Sequence, residues 1–357
     1  MRTNSSSCKE IAACPEDEGY GHACTALAQN LVGHSPPFRE AMELAKLYAA
    51  WSAPLLIAGE TGTGKELVAR AVHYQSQRRH CPFIPINCAT LPDTLVESEL
   101  FGHTRGAFTD ASQARQGLVR LAEGGTLFLD EVEALSPRGQ GVLLRFLQDS
   151  SYRALGGNTL HHADVRIVAA SNVDLHEKAA ARMFRDDLLY RLDAFRVSLP
   201  PLRERLDDLT LLVPHLLAKA ARQTDGFARR IGEPGLALLR AYDWPGNVRQ
   251  LEHVLLKAHV VCQGSEVGVD DLRRCAPELA RIGVAAVPAA AAPPHSLRAA
   301  KRAAADQAER RFIEVWLSRT AGNISEAARL TGIERASLSR LVKKYGVKSQ
   351  VRAIGNA

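Results

Sequence analysis

One segment of the sequence combines glycines with a lysine at the spacing of a phosphate-binding loop. It follows an apolar run, 54–58, and precedes a stretch of helical spacing. Glycines let backbone N–H groups curl around phosphate oxygens, a helix start adds partial positive charge, and a lysine can reach the β- and γ-phosphates. The predicted nucleotide-binding residues are Gly59, Glu60, Thr61, Gly62, Thr63, Gly64, Lys65 and Glu66. Taken alone, the motif also fits a structural turn, and Glu66 stands where a Ser or Thr usually binds Mg²⁺.

A second segment, 124–131, is an apolar strand that ends in two carboxylates, Asp130 and Glu131. An acidic residue at the carboxyl end of a strand can hold Mg²⁺, and its neighbour can orient and activate water. We assign Asp130 to the metal and Glu131 to the general base. The alternative for this segment is a strand followed by an acidic helix cap. Together the two segments predict hydrolysis at the γ-phosphate of a nucleotide with Mg²⁺.

The elements that must position these residues follow from the hydrophobic pattern. Short apolar runs alternate with helical segments, which is typical of an α/β fold with a parallel sheet; the runs are 54–58, 82–86, 126–129, 165–170 and 195–199. The predicted domains are a polar tail (1–30), an α/β ATPase subdomain (31–200), a helical lid without strands (201–275), an Ala/Pro linker (276–296) and a small helical domain (297–357). In the tail, Cys8, Cys14 and Cys24 fit either incidental thiols or a redox or metal cluster.

Composition and charge exclude several classes of protein. With 46% hydrophobic and 24% charged residues among 357, the chain is globular and not disordered throughout. Its longest apolar runs, 47–58 and 283–292, contain Pro and fall short of the roughly 20 residues of a membrane span. No signal peptide is visible, so a cytoplasmic protein is expected. The net charge of +6 is uneven, because residues 298–357 hold 13 basic and 5 acidic residues.

This basic tail has the pattern of a helix-turn-helix. Helical spacing over 309–317 is broken at Gly322, a short helix over 325–330 follows, and a last helix runs from about 334 to 345. Side chains expected to face DNA are Arg335, Ser337, Ser339, Arg340, Lys343 and Lys344. The early ones would approach bases and the two lysines phosphates. The alternative is a solvated basic face on a small bundle.

Further segments give the chain a family resemblance. In order along the sequence they are 97–103, 106–111, 124–131, 165–172, 184–192, 199–205 and 244–249. With these segments the chain resembles the AAA+ ATPases of the bacterial sigma-54-dependent transcription activators, and its tail resembles the Fis-type domain that ends many of them. The resemblance implies an AAA+ P-loop sheet with a helical lid and a separate all-α DNA-binding domain.

The resemblance also implies roles for residues that spacing alone would not single out. Asn172 matches a sensor of the γ-phosphate, Arg249 a second sensor on the lid, and Asn87 a residue that holds the catalytic glutamate. Arg185 and Arg191 match arginine fingers that reach a neighbouring subunit's ATP, which implies a homo-oligomeric ring, taken to be a hexamer. From the residues alone, the two arginines also fit surface ion pairs, and Asn87 a turn at a strand end.

A loop of the family that contacts sigma-54 is matched by Gly106, Ala107, Phe108, Thr109, Asp110 and Ala111. The family pattern is GAFTGA, so Asp110 replaces a glycine. Asp tolerates left-handed backbone better than most residues, so the loop can persist. We expect Phe108 to be an exposed binding tip. The alternative is a Phe buried under a hairpin.

Two functions from different classes follow. The first is an ATP-driven activator that binds a palindromic enhancer DNA site and remodels the closed complex of sigma-54 RNA polymerase. The second is a DNA-binding regulator or repressor that Asp110 has uncoupled from sigma-54. An AAA+ unfoldase or replication loader is a weaker third reading, because the chain shows no substrate-processing domain. About 30 residues precede the ATPase, too few for a receiver domain, so control is expected from a partner protein, expression level or the tail.

Overall fold

The computed structural model describes residues 31–108, 113–224, 226–280, 309, 312–313, 316–317, 320 and 323–345. The chain separates into two units, Met1–Val284 and Ala285–Ala357. The predictions for Cys8, Cys14, Cys24, Thr109, Asp110, Ala111 and most of the linker lie outside the described residues. No helix among the described residues has the length and apolar character needed to cross a membrane.

A five-stranded parallel sheet forms the centre of the first unit. Its strands are β1 (Leu55–Ala58), β2 (Phe83–Asn87), β3 (Thr126–Asp130), β4 (Arg166–Ser171) and β5 (Phe195–Ser198). Their order across the sheet is β2-β3-β4-β1-β5, and all four neighbouring pairs are parallel. Each predicted apolar run forms a strand, so the predicted α/β class is confirmed.

Burial on both faces explains why these strands are apolar runs without polar alternation. Along β3, Leu127 and Leu129 belong to one hydrophobic cluster, whereas Phe128 between them belongs to another on the opposite face. Along β4, Ile167 and Val168 divide in the same way. Helices cover both faces, so the open edge at the carboxyl ends of the strands is left for polar chemistry.

The helices of this α/β part are α1 (Pro36–Ala49), α2 (Lys65–Tyr74), α3 (Val96–Phe101), α4 (Leu118–Leu121), α5 (Pro137–Asp149), α6 (Leu175–Ala180) and α7 (Asp186–Leu192). Single 3₁₀ turns lie at Cys88–Thr90, Val132–Ala134, Leu202–Glu204 and Leu206–Asp208. Two short antiparallel pairs join Gly102–His103 to Arg115–Gln116 and Ser151–Tyr152 to His161–His162.

The helical lid has its own core around Trp244, which is fully buried. Its helices are α8 (Leu209–Gln223), α9 (Glu233–Arg240), α10 (Asn247–Val261), α11 (Val269–Cys275) and α12 (Pro277–Ala280). The expectation of no strand in this region is wrong: Arg230–Ile231 pairs in parallel with Glu266–Val267. Two residues per strand are too few to produce an alternating pattern. The packed region also passes the predicted boundary at 275, because Leu279 is buried in the lid core.

The second unit contains the predicted helix-turn-helix. Helix α13 (Ile324–Thr331) begins at Asn323, whose side-chain oxygen accepts hydrogen bonds from the N–H groups of Ser325 and Glu326. It ends at Gly332, whose φ of 69° is readily adopted by glycine. Helix α14 (Arg335–Tyr345) follows, and its Leu338 packs into a core with four side chains of the preceding helices: Ile313, Leu317, Ala327 and Ala328.

Candidate nucleotide site

The phosphate-binding loop lies between β1 and the first residue of α2. Gly62 and Gly64 have φ angles of 80° and 103°, and Gly64 is the residue at which the helix starts. The N–H groups of the first turn therefore face the loop. The Lys65 Nζ donates to the carbonyl oxygens of Gly59 and Glu60 at 2.7 and 3.1 Å. Burial lowers the pKa of Lys65, and Asp130 opposes that shift.

The two carboxylates lie at the carboxyl edge of the sheet, two strands away from the loop. Asp130 is the last residue of β3, and burial raises its pKa whereas Lys65 opposes that rise. Its Oδ1 accepts a hydrogen bond from the Glu131 N–H at 3.1 Å. Glu131 has a φ of 53°, a left-handed conformation that costs a non-glycine residue about 1–2 kcal/mol. Backbone strain of this kind is found at functional sites.

One cavity of about 210 Å³ brings the loop, both carboxylates and the lid together. Thr61, Gly62, Gly64, Lys65 and Glu66 line it from the loop, and Asp130 and Glu131 line it from β3. The lid contributes Val248, Arg249 and Glu252. Glu66 also pairs with Arg70 at 2.7 Å on the same helix. The cavity combines a cation, phosphate-facing N–H groups and two carboxylates, which is the chemistry that phosphoryl transfer to water requires.

Comparison with known proteins shows which families these segments match. Residues 31–198 match the sigma-54 interaction domain, residues 203–281 the AAA+ ATPase lid domain, and residues 304–345 the Fis family of bacterial regulatory proteins. NtrX from Brucella abortus, solved in complex with ADP, superposes with a TM-score of 0.63 at 31% identity, covering 92% of this chain and 72% of that one. This chain belongs to the sigma-54-dependent transcriptional activators.

Two curated relatives show how much of such activators is shared. The alginate biosynthesis regulator AlgB of Pseudomonas putida is 39% identical over 317 residues, 89% of this chain and 67% of the relative. The Nif-specific regulatory protein of Enterobacter agglomerans is 49% identical over 233 residues, 65% of this chain and 45% of the relative. The chain thus spans about half the length of several curated relatives it matches.

Two asparagines of the activator lie at the same sheet edge but outside the cavity lining. Asn172 follows β4, donates its N–H to Glu133 Oε1 at 3.2 Å, and lines a neighbouring cavity with Gly59 and Glu60. Asn87 pairs with Asp130 in the β2–β3 register, but its side-chain oxygen accepts from the Ala89 N–H at 2.8 Å. The structure therefore shows the strand-end turn for Asn87, and among the described residues no hydrogen bond joins its side chain to Glu131.

The two candidate arginine fingers lie at the start of α7 and on it, and neither lines the nucleotide cavity of its own chain. Arg185 precedes the helix and makes two hydrogen bonds to Asp187, at 2.7 and 3.0 Å. Arg191 is exposed and lines a separate cavity of about 610 Å³ beside Tyr190, which is 83% exposed. Neither arginine is among the residues that line the nucleotide cavity.

The described part of the 106–111 loop corrects one expectation. Phe108 is half-buried and not a free tip, because its ring packs edge-on against His103 with centroids 4.9 Å apart. His103 is itself fixed by a 2.8 Å hydrogen bond to Ser98 Oγ. Gly106 has a φ of 81°, so the turn into the loop uses glycine's freedom. The aromatic side chain of the described segment therefore rests on the body of the domain, and the contact of residues 106–111 with sigma-54 stays a prediction.

In the second unit, Arg335, Ser339 and Arg340 are exposed on α14, as predicted. Ser337 is half-buried next to the core residue Leu338, so the prediction of an outward Ser337 is only partly met. The side chains of Lys343 and Lys344 lie outside the described residues. Sequence reasoning missed a different group of residues near the nucleotide cavity, Arg203 and Asn247, which contact Glu60. Both lie in segments that carry the family resemblance, 199–205 and 244–249, but their positions in the sequence do not indicate that they contact the loop.

Proposed function

We propose that the chain is an ATP-hydrolysing transcriptional activator that binds enhancer DNA, forms a ring and remodels the sigma-54 RNA polymerase closed complex to the open complex. The observation that carries the proposal is the cavity that unites Lys65, Asp130, Glu131 and Arg249. It occurs in a chain that also contains a helix-turn-helix with exposed basic residues. Residues 297–357 would bind the DNA, and residues 31–275 would form the ring.

Mg²⁺ fits the residues of the cavity. Proteins hold this ion through one or two carboxylates together with substrate phosphates, so a dedicated protein cage is unnecessary. The half-buried Asp130 is suited to this role, and the part of the chain described by the structure has no cluster of three or more potential metal ligands. When bound, Mg²⁺ neutralises charge that develops on the phosphates.

The chain's own groups supply the remaining steps. Lys65 would exchange the carbonyl oxygens of Gly59 and Glu60 for phosphate oxygens, since an ammonium group has three donors and no acceptor. Glu131 would accept the proton of the attacking water. Arg249 would approach the phosphates from the lid side of the cavity. The left-handed Glu131 backbone sets the direction in which its side chain leaves the chain, which would help to orient the base toward the cavity.

The arginine fingers would act on a neighbouring subunit. Arg185, just before α7, and Arg191, on α7, are both exposed and do not line the cavity of their own chain. An arginine supplied in trans accelerates hydrolysis by about 10³–10⁵-fold. Mixing of two variants tests this arrangement. Lys65→Ala subunits and Arg185→Ala subunits are each expected to be inactive alone. In a ring of randomly mixed equal parts, about a quarter of wild-type ATPase activity should return, because only the intact sites with a finger-bearing neighbour work.

Asp187→Asn is the matched control for the finger test. It removes the surface partner of Arg185 and leaves the guanidinium in place. If Arg185 serves only this exposed pair, Asp187→Asn and Arg185→Ala should have equally small effects. If Arg185 is a finger, only Arg185→Ala abolishes hydrolysis. A mixture that stays inactive would refute the trans role.

Open-complex formation tests the whole proposal. Purified protein, ATP, sigma-54 polymerase and a supercoiled target promoter are combined, and strand opening is measured by permanganate reactivity. Glu131→Gln serves as the control that is expected to bind ATP without hydrolysing it. Opening by the natural chain supports the proposal. Opening only by Asp110→Gly would identify a regulator uncoupled from sigma-54, and opening by neither would reject the activator function.

A further inference from the structure

Three separate segments meet at the side chain of Glu60. Its Oε1 accepts a hydrogen bond from Arg203 Nη2 at 2.7 Å, and its Oε2 accepts from Arg203 Nη1 at 2.9 Å and from Asn247 Nδ2 at 3.1 Å. Glu60 belongs to the phosphate-binding loop and Arg203 to the turn that leads from β5 into the lid. Asn247 is the first residue of α10. These bonds lower the pKa of Glu60, with Arg203 the largest cause.

Asn247 is built into this junction. It is fully buried and has a φ of 50°, a left-handed conformation that Asn tolerates better than most residues. Its Oδ1 accepts from the Leu202 N–H at 2.7 Å, and its Nδ2 donates to the Thr61 carbonyl at 3.1 Å as well as to Glu60. One amide therefore joins the lid to both the loop and the turn, with the donors and acceptor of its side chain in use.

The backbone of Glu60 faces the opposite way, toward the phosphate-binding lysine. Its carbonyl oxygen accepts from Lys65 Nζ at 3.1 Å and from Thr63 Oγ1 at 2.8 Å. When Lys65 turns to a phosphate oxygen, this carbonyl loses a charged donor. A single residue thus contacts the lysine through its backbone carbonyl and the lid through its side chain.

Arg249 lies two residues after Asn247 and is one of the lid residues that line the nucleotide cavity. Its N–H donates to the Gly62 carbonyl at 3.3 Å, and its side chain lines the cavity with Lys65 and Asp130. The position of Arg249 in the cavity is therefore set by how firmly the start of α10 is held against the loop.

We propose that Glu60, Arg203 and Asn247 form a clasp that holds the lid against the phosphate-binding loop, positions Arg249 over the cavity and transmits nucleotide occupancy to the lid. In this role the three are positioning residues that act through Arg249. The proposal concerns the response to nucleotide only, and it goes beyond the transcriptional function because it does not depend on contact with sigma-54 or DNA.

A double-mutant cycle between Arg203 and Arg249 tests the clasp. In the full chain, Arg203→Gln removes the guanidinium that pairs with Glu60. The affinity of the variant for a fluorescent ATP analogue is then measured in the presence of Mg²⁺. We expect binding to weaken about three-fold, because the exposed pair of Arg203 and Glu60 is weak by itself and acts by holding Arg249 over the cavity. In an Arg249→Ala background the same change should have less than a two-fold effect, because the residue it positions is already gone. Hydrogen exchange at the Arg249 N–H should also accelerate in Arg203→Gln.

Arg240→Gln is the matched control. Arg240 makes an exposed ion pair of 2.8 Å with Glu233 on lid helix α9, comparable with the 2.7 Å pair of Arg203 and Glu60. Arg240→Gln should leave the affinity for nucleotide and the hydrogen exchange of the Arg249 N–H unchanged. The proposal is overturned if Arg203→Gln behaves like Arg240→Gln, or if its effect is the same with and without Arg249. Both variants are exposed side-chain changes, and thermal unfolding verifies that each is folded. Nucleotide affinity and hydrogen exchange at Arg249 can both be measured even if the chain does not open promoters, so failure of the proposed function would leave this test intact.

Discussion

Two glycines of the phosphate-binding loop form a matched pair that isolates the contact between loop and lid. Gly62 and Gly64 both have left-handed φ angles, 80° and 103°. A Cβ added at Gly62 would lie 2.4 Å from the Gly246 carbonyl oxygen and 3.0 Å from Arg249 Cβ. A Cβ added at Gly64 would have no described atom within 4 Å. Gly62→Ala therefore combines backbone strain with a clash, and Gly64→Ala has the strain alone.

The magnitudes follow from these distances. Forcing alanine into left-handed backbone costs about 1–2 kcal/mol at either position. Relief of the Gly62 clash requires the lid backbone to retreat by about 1 Å to reach ordinary contact, and overpacking of this kind typically costs a further 1–3 kcal/mol. A change of 1 kcal/mol shifts the melting temperature by about 2–4 °C for a domain of this size. Gly62→Ala should thus melt roughly 5 °C below Gly64→Ala.

The assay is thermal unfolding of the two variants and the parent chain without nucleotide, so that differences in ATP affinity do not enter. The retreat of the lid should also stretch the hydrogen bond from the Arg249 N–H to Gly62 O, which is 3.3 Å long. Faster exchange of that N–H is expected in Gly62→Ala and not in Gly64→Ala. Equal melting temperatures and equal exchange in the two variants would refute the reasoning, because strain alone would then explain both.

Three further predictions concern single groups that are buried or half-buried. Burial raises the pKa of Asp130, so the folded chain binds that proton more tightly than the unfolded chain, and stability falls as the pH rises through the raised pKa. Asp130→Asn should therefore melt a few degrees higher at pH 7, converge with the parent in acid, and lose ATPase activity; an unchanged melting temperature would contradict this. Asp208 is fully buried and accepts hydrogen bonds from the His34 N–H and from the N–H and Oγ of Ser35. Asp208→Ala should therefore lower the free energy of unfolding, measured in urea, by about 3 kcal/mol. A loss under about 1 kcal/mol would contradict this prediction. Burial raises the pKa of Cys88 to about 12, so iodoacetamide at pH 8 should modify it only in the unfolded chain, as mass spectrometry would show.

The chemistry-bearing segments were predictable because their signals are local. A glycine loop with Lys65 and an apolar strand ending at Asp130 are each contained in eight consecutive residues. The five strands were found for a similar reason, since strands buried on both faces appear as continuous apolar runs. The short strands of the lid were missed because two paired residues leave no periodic pattern. The packing of Phe108 on His103 was also missed, because a side-chain contact depends on the path of the chain.

The sequence by itself determined which groups are available for phosphoryl transfer and in which order the elements occur, because loop, strand and cap preferences act over a few residues. Only the tertiary structure decided which of those groups share a cavity. It joined Lys65 and Asp130 to Arg249 across more than a hundred residues of chain, and it placed Arg185 elsewhere. It also brought Glu60 to Arg203 and Asn247, a contact of distant residues that hydrophobic packing of the lid brings within hydrogen-bonding range.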